Sequence, residues 1–291
     1  MNAADLLRLK APRALPAQKA AERSRASCTP TRAKYRFRLR KPLRFGMMLG
    51  PVLFIILWSV GSWNGLIDSR ILPAPWVAAY SAADLIAQGK LQANLAVSAE
   101  RAGEGMFFGI LFGVAGALFA GLTRTGEYLI DGLVQIKRAI PIFALIPFFF
   151  VWFGIGEFMK VTVIALAVFF PIYINTYHGL RAIDVRFIEL AESLRIGYVD
   201  FLRHIVFPGA LPSFLLGLRF AVTAAWMALV VVEEVNATSG IGYMMDIART
   251  YAQSDVILVG LLLYGGLGLV SDTAVRLLER YSLSWRRTLA G

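Results

Sequence analysis

Apolar residues in this chain occur in long uninterrupted runs rather than at the three- and four-residue spacing of an amphipathic helix. A helix needs about 20 apolar residues to cross a bilayer, with about 17 as the lower limit. Six segments qualify, two of them only with their flanks, near residues 45–67, 102–122, 139–156, 161–180, 213–234 and 256–276. The pattern therefore predicts an all-α polytopic membrane protein with six transmembrane helices, or five as the alternative.

Composition supports this fold class and isolates one unusual segment. Charged residues make up 17% of the chain, below the usual share of about a quarter. Residues 1–44 hold 13 of the 30 Lys and Arg residues and only two acidic ones, so this segment accounts for the whole net charge of +11. We predict a basic cytosolic tail attracted to anionic lipid. No folded domain with an aromatic stacking platform accompanies it, so nucleic acid is not an expected partner.

Basic residues outside the tail set the predicted orientation through the positive-inside rule. With the N-terminus in the cytosol and six crossings of a transmembrane domain at 45–285, 24 basic residues fall inside and five outside. Both termini are then cytosolic, including residues 286–291, and the loop 181–212 faces the cytosol. Lys137 and Arg138 are predicted inside, after the second crossing. The five predicted outside are Arg70, Lys90, Arg101, Lys160 and Arg249.

Small residues recur every fourth position in the second predicted helix. The stripe comprises Gly105, Gly109, Gly113, Ala117 and Gly121. Small side chains let a neighbouring helix approach closely. We interpret the stripe as a packing surface rather than as the wall of a substrate path.

The loop 181–212 carries more helical pattern and more apolar content than a solvated loop needs. Charged Glu189, Glu192, Arg195 and Arg203 alternate with Ile188, Leu194, Ile196, Phe201 and Leu202. The pattern predicts a short helix, a turn near Gly197 and a second helix that ends at Pro208. A charged rim around an apolar surface is typical of a docking site for another protein.

Several motifs resemble one family of transport proteins. ELAESLRIG followed by PGALP resembles the "EAA" coupling loop of binding-protein-dependent ATP-binding-cassette importer permeases of the type I, MetI-like architecture. Glu189 and Ala191 match the first and third positions of that loop, and Pro208 has the matching downstream spacing. Arg195 stands where the family usually has glycine, so we expect Gly197 to supply the turn. The resemblance extends from about Phe45 to Tyr281.

WFGIGEFMK, FFPIYINTYHGLRAID, FPGALPSFLLGLRFAV and SGIGYMM make the chain most similar to the aliphatic-sulfonate permeases, within the taurine, nitrate and bicarbonate group. The resemblance implies a permease subunit of the bacterial inner membrane that imports a small organic anion. The expected substrate is an aliphatic sulfonate, with taurine, nitrate and bicarbonate as alternatives. The chain would not be an enzyme and would bind no cofactor itself.

The resemblance also implies partners and a docking site. A second permease copy, a periplasmic substrate-binding protein and two ATPase subunits that hold ATP and Mg would complete the importer. The chain lacks the G-x-x-x-x-G-K-[ST] pattern of a P-loop, which agrees with a separate ATPase. The residues expected to dock the ATPase are Glu189, Ala191, Glu192, Leu194, Arg195, Gly197 and Pro208.

Charged and polar residues inside the predicted helices are candidates for the translocation path, because burying them in lipid is costly. Arg219 would attract an anion or snorkel toward the cytosol, and Glu233 would face the path or hydrogen-bond to an external loop. Arg138, with Pro141, would mark the cytosolic entry of the third helix. Asn175 and Trp226 would line a cavity or form interhelical hydrogen bonds.

Two other function classes would show different sequence patterns. An ion-coupled secondary transporter would show inverted repeats and acidic residues at mid-membrane. A membrane-embedded enzyme would need a catalytic group of His, Asp, Glu, Ser or Lys residues within the helices. The sequence shows neither pattern, which favours the permease.

Overall fold

The computed structural model describes residues 46–138 and 140–284. The predicted tail at 1–44 and the cytosolic end at 286–291 lie outside these ranges. Throughout the described residues the ordered elements are helical, without a strand. The packed bundle belongs to the second of two compact units, which begins at Val52.

Twelve α-helices and three short irregular turns make up the described ranges. The helices are α1 (Gly46–Trp63), α2 (Pro75–Ala87), α3 (Lys90–Leu122), α4 (Arg124–Gly126), α5 (Gly132–Arg138), α6 (Ile146–Phe153), α7 (Glu157–Arg181), α8 (Val185–Ser193), α9 (Tyr198–Phe201), α10 (Phe207–Asn236), α11 (Ile241–Thr250) and α12 (Ser254–Ser282). Two π turns (Glu127–Asp131 and Leu202–Val206) and a 3-10 turn (Ile142–Leu145) join neighbouring helices.

Four of these helical stretches are long and apolar enough to cross a membrane: α3, α7, the continuous stretch Tyr198–Val235 and α12. A bent pair, Arg124–Lys137 with Ile142–Phe153, would make a fifth, and α1 contains a shorter apolar helix at Leu49–Trp63. The long helices extend beyond the apolar runs. Helix α3 was predicted near 102–122 but begins at Lys90. Its first turns are helix-forming but polar, so hydropathy does not detect them.

Helix α7 lies at the centre of the bundle, between α3 and α10. Its residues Met159, Val163, Ile164, Val168 and Ile172 are fully buried. Helix α12 packs against α10 and α11, and α2 packs against α12 and α3. Since α7 contacts partners on two sides, it sets the spacing of α3 and α10.

The small-residue stripe forms the contact between α3 and α7. A Cβ atom added at Gly109 would lie 2.5 Å from the backbone oxygen of Ala165 and 2.5 Å from Val168. A Cβ at Gly105 or Gly113 would also come within 3 Å of α7 side chains. The packing interpretation is confirmed: the helices approach so closely that even one methyl group does not fit.

The predicted helix near 139–156 is shorter in the structure, where the helical stretch covers Ile142–Phe153. From residue 140 onward the structure has the 3-10 turn and then α6, which ends at Gly154 with φ +71°. Pro141 precedes the 3-10 turn, and Pro147 occupies the first turn of α6. Proline lacks an N–H donor and clashes with the preceding turn, which accounts for the short pieces.

The residues before this break form the other half of the same element. Glu127 accepts hydrogen bonds from Tyr177 (3.0 Å) and Arg181 (2.5 Å) at the C-terminal end of α7. At the other end of the element, the ring of Phe153 lies 5.4 Å from that of Phe158, near the start of α7. The bent pair therefore follows α7 over most of its length, with a 93° bend between its halves.

Lys137, predicted to lie in the cytosolic loop, is level with the middle of α7. Its ammonium lies 3.6 Å from the ring centroid of Phe170. At roughly 1.5 Å per residue, Phe170 is about 20 Å from Glu157 and about 17 Å from Arg181 along the helix axis. Arg138 is the last residue of α5, next to Lys137, so it does not mark the entry of the third helix. The side chain of Arg138 lies outside the described part. Hydropathy missed this because α4 and α5 are less apolar than the segment after them.

We expect Gly109→Ala to destabilise the protein by about 2 kcal/mol, because an added methyl meets backbone that cannot move aside. The matched control is Gly103→Ala on the same helix, where a Cβ has open space. That change is expected to be neutral or to stabilise by up to about 1 kcal/mol. Thermal unfolding in detergent measures both variants. Equal unfolding temperatures would contradict the close helix contact.

Candidate functional site

Helix α8 projects from the bundle between α7 and α9 and has no extensive packing against another described helix. Its side chains are largely exposed, apart from buried Ala191. The exposed residues include both charged Glu189 and Glu192 and large apolar groups. On α8 itself Val185 is 63% exposed and Leu190 is 52% exposed, and Leu194, directly after the helix, is 64% exposed. Helix α8 thus presents a mixed apolar and charged surface that nothing in the described chain covers.

The C-terminal turn of α8 is formed by Arg195 rather than by Gly197. Arg195 has φ +52°, in the left-handed region. Its N–H donates to the Glu192 carbonyl (3.0 Å), and the N–H of Ile196 donates to the Ala191 carbonyl (2.9 Å). This pair of bonds is the Schellman motif, in which glycine usually takes the left-handed position. Gly197 has extended backbone (φ −64°, ψ 150°) and precedes α9, so the expectation for it was wrong.

The second helix of the loop was predicted to end at Pro208, but in the structure it continues past this residue. Tyr198–Val235 forms one continuous helical stretch. Pro208 lies in the first turn of α10, directly after the π turn Leu202–Val206. A π turn widens the backbone, and proline is tolerated at a first helical turn. The loop is therefore joined rigidly to the long helix α10.

The base of the loop is held by a small apolar cluster, whereas α8 itself is not. Buried Leu180, Val206 and Ala210 form this anchor cluster, with Ile183 and Phe201 packed against it. A cavity of about 540 Å³ lies beyond it, lined by residues of α7, the first turn of α8 and the start of α10. The loop is thus fixed at its base and has unfilled space behind its first helix.

A buried ionic network joins three helices at the opposite end of α7. The side chain of Arg101 on α3 is 4% exposed. It donates two hydrogen bonds to Glu157 on α7 (2.6 and 2.7 Å) and one to Glu233 on α10 (2.8 Å). Lys160 adds a bond to Glu157 (2.9 Å). The two cations and two carboxylates balance in charge. Arg101, Lys160 and Glu233 are buried, whereas the Glu157 side chain is 60% exposed.

Glu233 is the most completely enclosed member of this network, with 0% side-chain exposure. Besides Arg101, it accepts hydrogen bonds from the Ser98 hydroxyl (2.8 Å), the Gly242 N–H (2.9 Å) and the Tyr264 hydroxyl (2.9 Å). These donors fix the start of α11 against α3, α10 and α12. The geometry favours the hydrogen-bonding alternative for Glu233 over a place on an open path.

Sequence reasoning assigned Arg101 and Lys160 to external loops and did not identify this network. Both lie inside helices and are 3% exposed. One signal was available: two acidic and two basic residues lie near the same predicted end of three helices. Equal numbers of opposite charges at one depth would have predicted pairing.

Arg219 has an acidic partner that the sequence analysis did not consider. Its Nε donates to Asp272 on α12 (2.7 Å), and Arg276 donates to the other oxygen of the same carboxylate (2.7 Å). The side chain of Arg219 is 38% exposed and that of Asp272 is 26% exposed. Arg219 therefore joins α10 to α12 and is not a free cation.

Asn175 and Trp226 also form contacts between or within helices. The Asn175 amide donates to the Pro171 carbonyl of its own helix (2.8 Å). Trp226 donates through Nε1 to the Ser271 hydroxyl on α12 (3.1 Å). Trp226 also lines a cavity of about 340 Å³ between α10 and α12. For these two residues the hydrogen-bond alternative describes the observed geometry, and Trp226 also borders a cavity.

Comparison with known proteins gives consistent results. Residues 105–281 match the family model described as binding-protein-dependent transport system inner membrane component. SsuC of Escherichia coli (strain K12), named as an aliphatic sulfonates transport permease, is 41% identical over 84% of this chain and 92% of that protein. SsuC of Bacillus subtilis (strain 168), with the same name, is 36% identical over 85% and 91%. The taurine transport system permease TauC of E. coli (strain K12) is 30% identical over 87% and 94%.

Two solved structures share the fold. A crystal structure of an amino acid ABC transporter with histidines has a TM-score of 0.56 and 17% identity, over 65% of this chain and 92% of that chain. The MetNI methionine ABC transporter in an inward-facing conformation has a TM-score of 0.50 and 20% identity, over 64% and 92%. At these identities the likeness shows the fold alone.

We expect Arg195→Gly to stabilise the end of α8 by about 1 kcal/mol, since glycine adopts a left-handed conformation without the Cβ clash. Arg195→Ala removes the charge but keeps the clash, so the difference between the two variants isolates the backbone effect. Amide hydrogen exchange in α8 should slow by about fivefold in the glycine variant relative to the alanine variant. Equal exchange in the two would contradict a left-handed Arg195.

We expect Glu233→Ala to destabilise the fold by about 3 kcal/mol, because it leaves buried donors and a buried guanidinium without their acceptor. The adjacent Glu234→Ala is the matched control: its partner Arg249 is 56% exposed, and such a pair contributes about 1 kcal/mol or less. Unfolding in detergent, followed by tryptophan fluorescence, measures both. A Glu233→Ala variant as stable as Glu234→Ala would show that the network contributes little.

Proposed function

The chain belongs to the family of binding-protein-dependent transport system inner membrane components, and we propose that it forms the translocation path of an ATP-driven importer for aliphatic sulfonates. As a family member it is a multi-pass inner-membrane permease component. Under this proposal two copies enclose the path, two separate ATPase subunits bind ATP and Mg, and a periplasmic substrate-binding protein delivers the anion. Both termini face the cytosol.

The uncovered surface of α8 is the observation that carries the proposal. Exposed leucine and valine side chains beside Glu189 and Glu192 resemble the centre and rim of a protein interface. The surface lies on a helix that the other described helices barely contact. We assign this surface to the docking of the ATPase subunit. Ala191 lets the side of α8 that it occupies pack closely, and Arg195 forms the turn that ends the helix.

Transmission of force follows from how the loop is attached. The anchor cluster fixes the base of the loop to α7, and α9 continues through the π turn into α10. Movement of a docked ATPase would therefore reach two neighbouring helices at the centre of the bundle. Alternating access needs only two packings of similar energy that the ATPase biases, and no reactive side chain.

Sulfonate is proposed as the substrate class because of the relatives. Two permeases named for aliphatic sulfonates are 41% and 36% identical, whereas the taurine permease is 30% identical. Taurine is itself an amino-substituted sulfonate, so both names point to the same anionic group. Nitrate and bicarbonate remain alternatives that the transport assay includes.

We expect Leu194→Ser to abolish co-purification of the ATPase subunit while the permease remains folded in the membrane, because it removes an exposed apolar contact. Tyr281→Ser is the control, since Tyr281 is 86% exposed near the end of α12, a helix that has no extensive contact with α8. Pull-down from membranes that contain both subunits measures the association. Retention of the ATPase by Leu194→Ser would refute docking at α8.

A transport assay with the assembled complex tests the proposed substrate. The complex with its ATPase and binding protein, reconstituted in liposomes, should take up labelled ethanesulfonate when supplied with ATP. Unlabelled ethanesulfonate should compete better than nitrate or bicarbonate. Failure to transport ethanesulfonate while one of these anions is transported would refute the sulfonate assignment and leave the permease assignment intact.

A further inference from the structure

Lys137 occupies an unusual electrostatic position in the bundle. None of the ion pairs among residues 46–138 and 140–284 includes it. Its ammonium instead lies over the face of Phe170, 3.6 Å from the ring centroid. By contrast, the cations in the network around Glu233 each have a carboxylate partner. Lys137 therefore retains an ammonium whose charge no carboxylate of the described residues neutralises.

This ammonium borders a cavity of about 330 Å³ formed by three elements. One wall is the broken segment after Lys137, which includes Pro141 and Phe143. The other walls come from Ala167 and Phe170 on α7 and from Ala224 and Met227 on α10. A cation beside apolar and aromatic side chains complements a ligand with an anionic head and a short hydrocarbon chain. The volume is in the range of small-molecule sites.

The depth of the cavity argues against a groove that faces lipid. Lys137 is level with Phe170, midway along α7. A lysine exposed to hydrocarbon at that depth costs several kcal/mol, so such residues face a bundle interior or a water-filled cavity. Irregular backbone at membrane depth is likewise tolerated only where it is buried in protein or lines a cavity. The break between α5 and α6 satisfies the same condition at the same place.

We propose that the Lys137 ammonium is the group that binds the anionic head of the substrate within the translocation path. This inference rests on the proposed import of sulfonates and names the residue that recognises them. The broken element, α7 and α10 enclose the site, and two of these elements adjoin the anchor cluster below α8. The sulfonate oxygens accept hydrogen bonds from the ammonium, and the alkyl chain contacts Phe143 and Met227.

The test uses the full complex in liposomes, with labelled ethanesulfonate as the probe. Lys137→Met removes the charge with little change in length and should lower kcat/KM for uptake by about tenfold or more. Lys137→Arg should retain most of the uptake. Lys90→Met, at the exposed start of α3, is the matched control and should be unchanged. ATP hydrolysis without the probe should be the same in all four complexes.

A charge-rescue experiment separates recognition from folding. Cys28 is the only cysteine of this chain, so Cys28→Ala with Lys137→Cys gives a permease whose single thiol lies at position 137. Aminoethyl methanethiosulfonate forms a mixed disulfide with the thiolate, releases methanesulfinate and restores an ammonium. Ethyl methanethiosulfonate adds a neutral chain by the same reaction. Uptake should recover only with the aminoethyl group.

The outcomes distinguish this inference from the proposed function. Wild-type uptake of ethanesulfonate together with undiminished uptake by Lys137→Met would overturn the role of Lys137 and leave the importer assignment unchanged. Equal uptake by the aminoethyl and ethyl adducts would also overturn it. Absence of ethanesulfonate uptake by the wild type, with ATPase docking intact, would refute the proposed substrate itself.

Discussion

Charge in an apolar bundle has to be compensated, and this requirement organises the whole structure. Removing an ion from water costs several kcal/mol unless a partner and hydrogen bonds replace the solvent. At one end of α7, Arg101 and Lys160 meet Glu157 and Glu233. Arg101 and Glu233 each have several partners, and Lys160 pairs with Glu157. Arg219 meets Asp272 on α12 in the same way. Lys137, without a carboxylate among its described contacts, stands out against this background.

The two ends of the bundle are consequently built differently. Around Glu233 on α10, hydrogen bonds from α3, α11 and α12 fix α11 in place and leave little freedom. Near Leu180, the anchor cluster holds the base of the loop, while α8 itself stays exposed. Between these ends, the stripe around Gly109 holds α3 against α7 at backbone distance. A movement that begins at α8 would therefore reach the middle of α7 and α10 before the clamped end.

Much of the fold and part of the site could be predicted from the sequence, and the failures have identifiable causes. Long apolar runs located most of the core helices, and small residues at four-residue spacing located the contact around Gly109. The helix at 185–193 followed from its mixed pattern. The turn after this helix could not be predicted, because Arg195 adopts a left-handed conformation that glycine usually takes. Lys137 was placed in a loop because polar residues lower the hydropathy of α4 and α5.

The sequence alone determined the fold class and the exposed character of α8, because hydropathy, charge and helical spacing are local properties that each segment carries with it. The pairing of charges was decided only by the tertiary structure. Glu233 meets Ser98 and Arg101, which are more than 130 residues away in the chain. No local pattern shows which distant helix brings the compensating group to the same depth. The packing of the helices, and no local pattern, decided which cations are neutralised and left the ammonium of Lys137 beside a cavity.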